Sequence, residues 1–441
     1  MELLDKLVLP QSAEHIALLH YLTLLVLFLF IPYFSILLGG TALSLFYRRK
    51  YRLTGDTTWL QFARVYIEDC TINKTSGVML GILPVLGLLL MFAQLMHTTG
   101  AGTVPFLMAG LIAFAVGTGF VFTYRYSFFY RQLFDSLGTS AEGPEIDNEK
   151  AKLQALSQSS GFWGLLVLLA ASYFIIAGIT ITMFPADWKK SSAVIYLFSS
   201  GVVFAKWLYF LVGSFAFAAS FVLFTRFFWE GGKSTGNAEL DTLLKKKASV
   251  TALISSLILP LLVMVNVISV PAESLSTAVF AFAIIGLLML LFLYHFAYEV
   301  IKNGTSQSAG WVFVFLLLAV LSFIVSDHSS VNYATRTHSA MLAKQYDAFI
   351  LEKYGDKNAV VEVSGEEIFK VKCQSCHAFD KKLVGPPYNE SVPGYKGDVD
   401  LLAGYIMNPV KKRPDYPIMP NQGLKPNEAK AVAKYLIDKV K

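Results

Sequence analysis

Eight stretches of this chain are apolar over the roughly 20 residues that a helix needs to cross a hydrocarbon layer about 30 Å thick. They cover about 17–46, 77–97, 103–125, 161–184, 196–228, 248–271, 276–300 and 308–326. A bilayer core offers backbone amides no partner, so each run is expected to satisfy its own hydrogen bonds as a helix. A water-facing shell could not hide this much apolar sequence: 55% of the 441 residues are hydrophobic and 15% charged, against roughly 25% charged in an ordinary globular domain. That composition excludes a disordered chain and a purely soluble enzyme. The formal charge of +6 is spread along the sequence, without the basic cluster of a nucleic-acid binder. The first run is too long for a cleavable leader and lacks a small-residue cleavage site, so it is expected to stay in the membrane.

Orientation follows from loop charge. Sixteen Lys and Arg fall after the odd-numbered spans, against three (Lys6, Lys189 and Lys190) on the opposite side up to the end of the eighth span. The rule that cytoplasmic loops are positive therefore places both termini outside the cytoplasm. The spans also look duplicated. Ser35-Ile36-Leu37-Leu38 in the first matches Ser214-Phe215-Ala216-Phe217 in the fifth, and Leu83-Pro84 in the second matches Leu259-Pro260 in the sixth. The expected fold is all-α: a membrane domain over 1–326 made of two four-helix repeats, about 17–184 and 196–326. A polar linker over 327–364, with an amphipathic helix near 338–354, then leads to a small helical module over 365–441.

That module carries the strongest chemical signal, Cys373-Gln374-Ser375-Cys376-His377. Two thiols two residues apart, followed at once by His, is the attachment spacing of a c-type haem. One turn of chain holds both sulfurs toward the porphyrin vinyl groups, and the next side chain brings an imidazole under the iron. A zinc site would need a second ligand pair, and a thioredoxin-like pair would need a strand–helix setting; neither is present in the pattern. A methionine is the usual opposite ligand in a small electron carrier. Met419, in the proline-stiffened Tyr416-Pro417-Ile418-Met419-Pro420, is the better candidate. Met407 has the spacing of a core residue on a helix. Cys70 stands alone, on the expected cytoplasmic side.

With its attachment motif, Gly385-Pro386, Met419-Pro420 and a closing helix over Glu428–Leu436, the module resembles the class I cytochromes c. The resemblance implies that the Pro386 carbonyl orients His377 and that His377 and Met419 are the axial ligands of one covalent haem c. It also implies that the module lies in the periplasm. Thirteen basic against nine acidic residues in 365–441 suit an acidic electron-transfer partner.

The membrane part resembles subunit I of cytochrome bd-type quinol oxidases through Phe30-Ile31-Pro32, Ala109-Gly110-Leu111-Ile112-Ala113-Phe114 and Lys206-Trp207-Leu208-Tyr209. It departs where that family ligates its haems: Leu27 and Tyr209 stand at histidine positions, and Ala109 and Gly117 at acidic ones. No b- or d-type haem is therefore expected, and His20 reads as an interfacial histidine. Lys206 is an ionisable residue inside a span, the kind often tied to function. It is the candidate for a quinol head group or for an acid on another subunit, the alternative being a side chain snorkelling to the outer surface. No catalytic residue is assigned.

The function expected is electron transfer within a respiratory complex of a bacterial inner membrane. Electrons would pass between the quinol pool or a partner subunit and a periplasmic carrier. The alternative is a lipid-embedded scaffold that tethers a cytochrome beside a periplasmic oxidoreductase. Nucleic acid is not an expected partner.

Overall fold

The computed structural model describes residues 11–136, 144–354 and 364–440, and among these all regular structure is helical. Lys6 and the linker segment 355–363 lie outside the described residues. The chain divides into two compact units, Met1–Gln345 and Tyr346–Lys441.

The first unit holds eight helices long and apolar enough to cross a membrane, the last of which continues past Gln345. They are α1 (Ala13–Thr54), α3 (Lys74–Leu95), α4 (Thr103–Ser136), α5 (Pro144–Ile181), α6 (Gly201–Phe227), α7 (Ala238–Ser269), α8 (Thr277–Asn303) and α9 (Ser306–Tyr354). A shorter helix, α2 (Thr57–Thr71), follows α1. The Ser12 hydroxyl caps α1 by accepting from the His15 N–H, and Gly55, with φ of 71°, ends it in the left-handed region that glycine tolerates. Within α3 the backbone widens into a π turn over Val78–Ile82, just before Pro84, whose missing N–H cannot continue the regular ladder.

Helix α1 is the centre of this unit. Its most apolar window is 61% buried, against 28% for α8, which turns most of its surface outward. Phe30 and Phe34 of α1 meet Phe114 of α4 edge-on at 5.6 and 4.9 Å, and Phe34 meets Phe210 of α6 at 5.2 Å. Where lipid supplies no hydrophobic drive between helices, small residues let backbones approach closely. A Cβ on Gly39 would collide with the Ser214 backbone, so α1 and α6 cross at that glycine. Gly117, at a position where an acid was in question, is likewise a packing residue: a Cβ there would lie 2.8 Å from Leu168 of α5. Cys70 is fully buried beside Gly40. At one end of the bundle Asp69 of α2 pairs with both Nε and Nη2 of Arg226 of α6 at 2.6 and 2.7 Å.

The two largest differences from the hydropathy reading are at the start of α5 and the end of α9. Helix α5 starts at Pro144 rather than near 161, and α9 runs on to Tyr354 rather than stopping at 326. Both extensions are polar helix, invisible to a search for apolar runs. The region expected near 338–354 is therefore the end of α9.

The second unit is built from α10 (Gly365–Ile368), α11 (Val399–Met407) and α12 (Pro426–Val440). They pack around Phe369, Leu402, Ile406, Val432 and Leu436, all buried.

Candidate functional site

Helix α10 is capped by Ser364 and runs into a π turn over Phe369–Cys373. The chain then tightens, with the N–H groups of Cys376 and His377 donating to the Cys373 carbonyl at 3.1 and 3.0 Å. This one fold of backbone sets Cys373, Cys376 and His377 on the wall of a single cavity of about 280 Å³. The Gly385 N–H donates to the Cys376 carbonyl at 2.9 Å, which returns Gly385-Pro386 to the same wall. There Nδ1 of His377 donates to the Pro386 carbonyl at 2.9 Å. A carbonyl only accepts, so this bond puts the proton on Nδ1 and leaves the Nε2 lone pair available to a metal.

Met419, half-buried, lines the same cavity. Its loop is tied down by Asn421, whose amide donates to the Met407 carbonyl at 2.8 Å and whose side-chain oxygen accepts from the Gly423 N–H. Met407 packs against the hydrophobic cluster and does not line the cavity. Burial pushes the Cys373 thiol and the Tyr388 phenol up, and the Tyr395 phenol to about 12. These three groups are thus uncharged. Lys372, Lys411, Lys412 and Arg413, with Glu390 as the one carboxylate, also border the cavity and leave its rim positive.

The donor set fits a covalently held haem: two thiols for the vinyl groups, an oriented imidazole and a thioether, on largely apolar walls. Gly385 is a direct sign of how little room the imidazole has. A Cβ there would overlap the His377 ring, 2.1 Å from Cε1 and 2.6 Å from Nδ1 and from Nε2. Gly385→Ala is therefore expected to tilt the ring and weaken axial ligation. The check is the absorption spectrum, where a high-spin fraction absent from the unmodified chain should appear while covalent haem stain is retained.

In the membrane unit Lys206 does not snorkel. It is 4% exposed, and its ammonium pairs with Asp327 of α9 at 2.5 Å, so its acid comes from this chain rather than from another subunit. His20 is buried, and its ring meets that of His328 at 5.5 Å. Sequence reasoning missed Asp327, His328 and Tyr209 as neighbours of Lys206. The adjacent Asp327-His328 pair at the end of an apolar run was the available signal.

The family model for cytochrome c matches residues 363–438. Cytochrome c-551 of Pseudomonas denitrificans is 40% identical over 79 residues, which is 17% of this chain and 95% of that protein. Cytochrome c-551 of Azotobacter vinelandii is 36% identical over 78 residues, with the same coverage of each chain. No solved structure matches the chain significantly.

Proposed function

Because the chain belongs, through residues 363–438, to the cytochrome c family, we propose that it is the electron-transfer subunit of a respiratory membrane complex. In this reading it carries electrons from the quinol pool, or from a partner subunit, to a soluble acceptor outside the cytoplasm. The observation that carries it is the cavity that gathers Cys373, Cys376, His377 and Met419 in a unit attached to eight membrane-length helices. A haem bound there supplies one reversible electron per cycle. Cys373 and Cys376 would tether it, His377 and Met419 would ligate its iron, and Pro386 fixes the imidazole. The basic residues around the cavity favour an acidic acceptor and speed its approach at low salt.

The loop-charge asymmetry supports an inner-membrane location with both termini and the 365–441 module periplasmic. The internal sequence match supports two four-helix units, about 17–184 and 196–326, within a membrane domain over 1–326. The likeness to subunit I of bd-type quinol oxidases supports a link to quinol. A quinol releases two electrons and one haem takes one, so a second acceptor in a partner subunit belongs to this reading.

The test uses native membranes. Added quinol should reduce the covalent haem, and Met419→Ala should keep the haem attached while removing its far-red sulfur-to-iron band. The same variant should lower the midpoint potential by on the order of 100 mV, part of the roughly 0.8 V that axial ligands control. A haem that quinol never reduces in membranes defeats the quinol link. A far-red band that survives in Met419→Ala transfers the ligand role to Met407.

A further inference from the structure

Five buried or half-buried polar side chains converge where α1, α6 and α9 meet: His20, Lys206, Tyr209, Asp327 and His328. Four of them, all but His20, line a cavity of about 70 Å³ whose other walls are apolar, among them Leu27 and Ile176. Lys206 and Asp327 neutralise one another. The cavity therefore holds no net charge that would select an anion or a cation. Two polar atoms of these lining residues are left over. Nδ1 of His328, a residue 7% exposed, and the Tyr209 hydroxyl have no hydrogen-bond partner among the described residues. Buried polar groups are nearly always paired, so two unpaired atoms on residues that line one cavity point to a ligand there. Ionisable residues at such depth are also rarely idle.

The ligand that matches is an uncharged ring with oxygen at its edge, lying in an apolar slot and meeting one phenol and one imidazole. The volume is a quarter of the 280 Å³ of the haem cavity, which excludes a porphyrin. Asp327 is 41% exposed at its side chain, so the cavity has a side open to its surroundings. We propose that this cavity binds a quinone or quinol head group, with His328 and Tyr209 as its hydrogen-bond partners and the Lys206–Asp327 pair positioning them. The proposal rests on the quinol-linked reading above and moves the ligand contacts from Lys206 to its neighbours.

The experiment is a fluorescence-quench titration of the full chain in lipid nanodiscs with heptyl-hydroxyquinoline N-oxide, a fluorescent quinol analogue. A photoreactive azido-quinone maps the site in parallel. One analogue per chain is expected, with labelled peptides from α1, α6 or α9. Tyr209→Phe, which removes only an oxygen, should weaken binding about tenfold, as should His328→Leu, and His328→Asn should recover part of the loss. Unchanged affinity in both Tyr209→Phe and His328→Leu, or labelling elsewhere, overturns the proposal. So does a second, extractable haem that disappears in His20→Ala. No analogue binding with the covalent haem still reducible by a protein donor sinks this site and leaves the electron-transfer reading standing. A chain that binds the analogue but carries no covalent haem does the reverse.

Discussion

Replacing His377 by alanine is expected to remove the low-spin haem spectrum and to stop electron transfer through the chain, the largest functional loss of any single substitution considered. The imidazole is held on one side by the Pro386 carbonyl at 2.9 Å and on the other by the Tyr388 ring, stacked at 4.9 Å and 26°. Among the described residues no second histidine lines the cavity to replace it. Changing only a residue that orients a metal ligand commonly costs about 10–100-fold; deleting the ligand should exceed that range. The two thiols are untouched, so haem stain should persist on denaturing gels while the spectrum becomes high-spin and the reduction rate falls at least about a hundredfold. Cys373→Ala with Cys376→Ala makes the converse case, in which the stain itself disappears. A normal low-spin spectrum in His377→Ala would remove that residue from the iron and undo the assignment of the cavity.

The parts of this protein that were legible in the sequence are those set by local pattern. An apolar run of about 20 residues has one way to satisfy its backbone in lipid, so the eight spans were readable directly. Cys373 to His377 lie within five residues, and their spacing alone names the chemistry. Other features depend on which helices become neighbours, and these were not readable. Lys206 finds its acid 121 residues away on α9, and His20 meets His328 across more than three hundred residues of chain. The polar starts and ends of α5 and α9 carry no hydropathy signal. The role of Gly117 is visible only once Leu168 of α5 is packed against it.

Asp327→Leu is expected to produce the largest loss of stability in the membrane unit. The substitution leaves the Lys206 ammonium, 4% exposed, without its counter-charge among apolar walls. Removing one member of a buried ion pair typically costs about 3–5 kcal/mol. The Asp327 carboxylate is 41% exposed and partly screened, so the lower end of that range is the better expectation here. The double substitution Lys206→Met with Asp327→Leu separates the pair's two roles. Apolar replacements of similar volume often restore or raise stability, because no ion then has to leave water. Unfolding in detergent or bicelles should therefore fall early in Asp327→Leu and return to near the starting midpoint in the double variant. If Asp327→Leu unfolds like the unmodified chain, Lys206 has a second route to water along its flexible stem, and the pair contributes little to the fold. If the double variant is stable yet binds no quinol analogue, the pair is kept for positioning Tyr209 and His328 rather than for holding the helices together. A pair retained only for stability would leave binding unchanged in that variant.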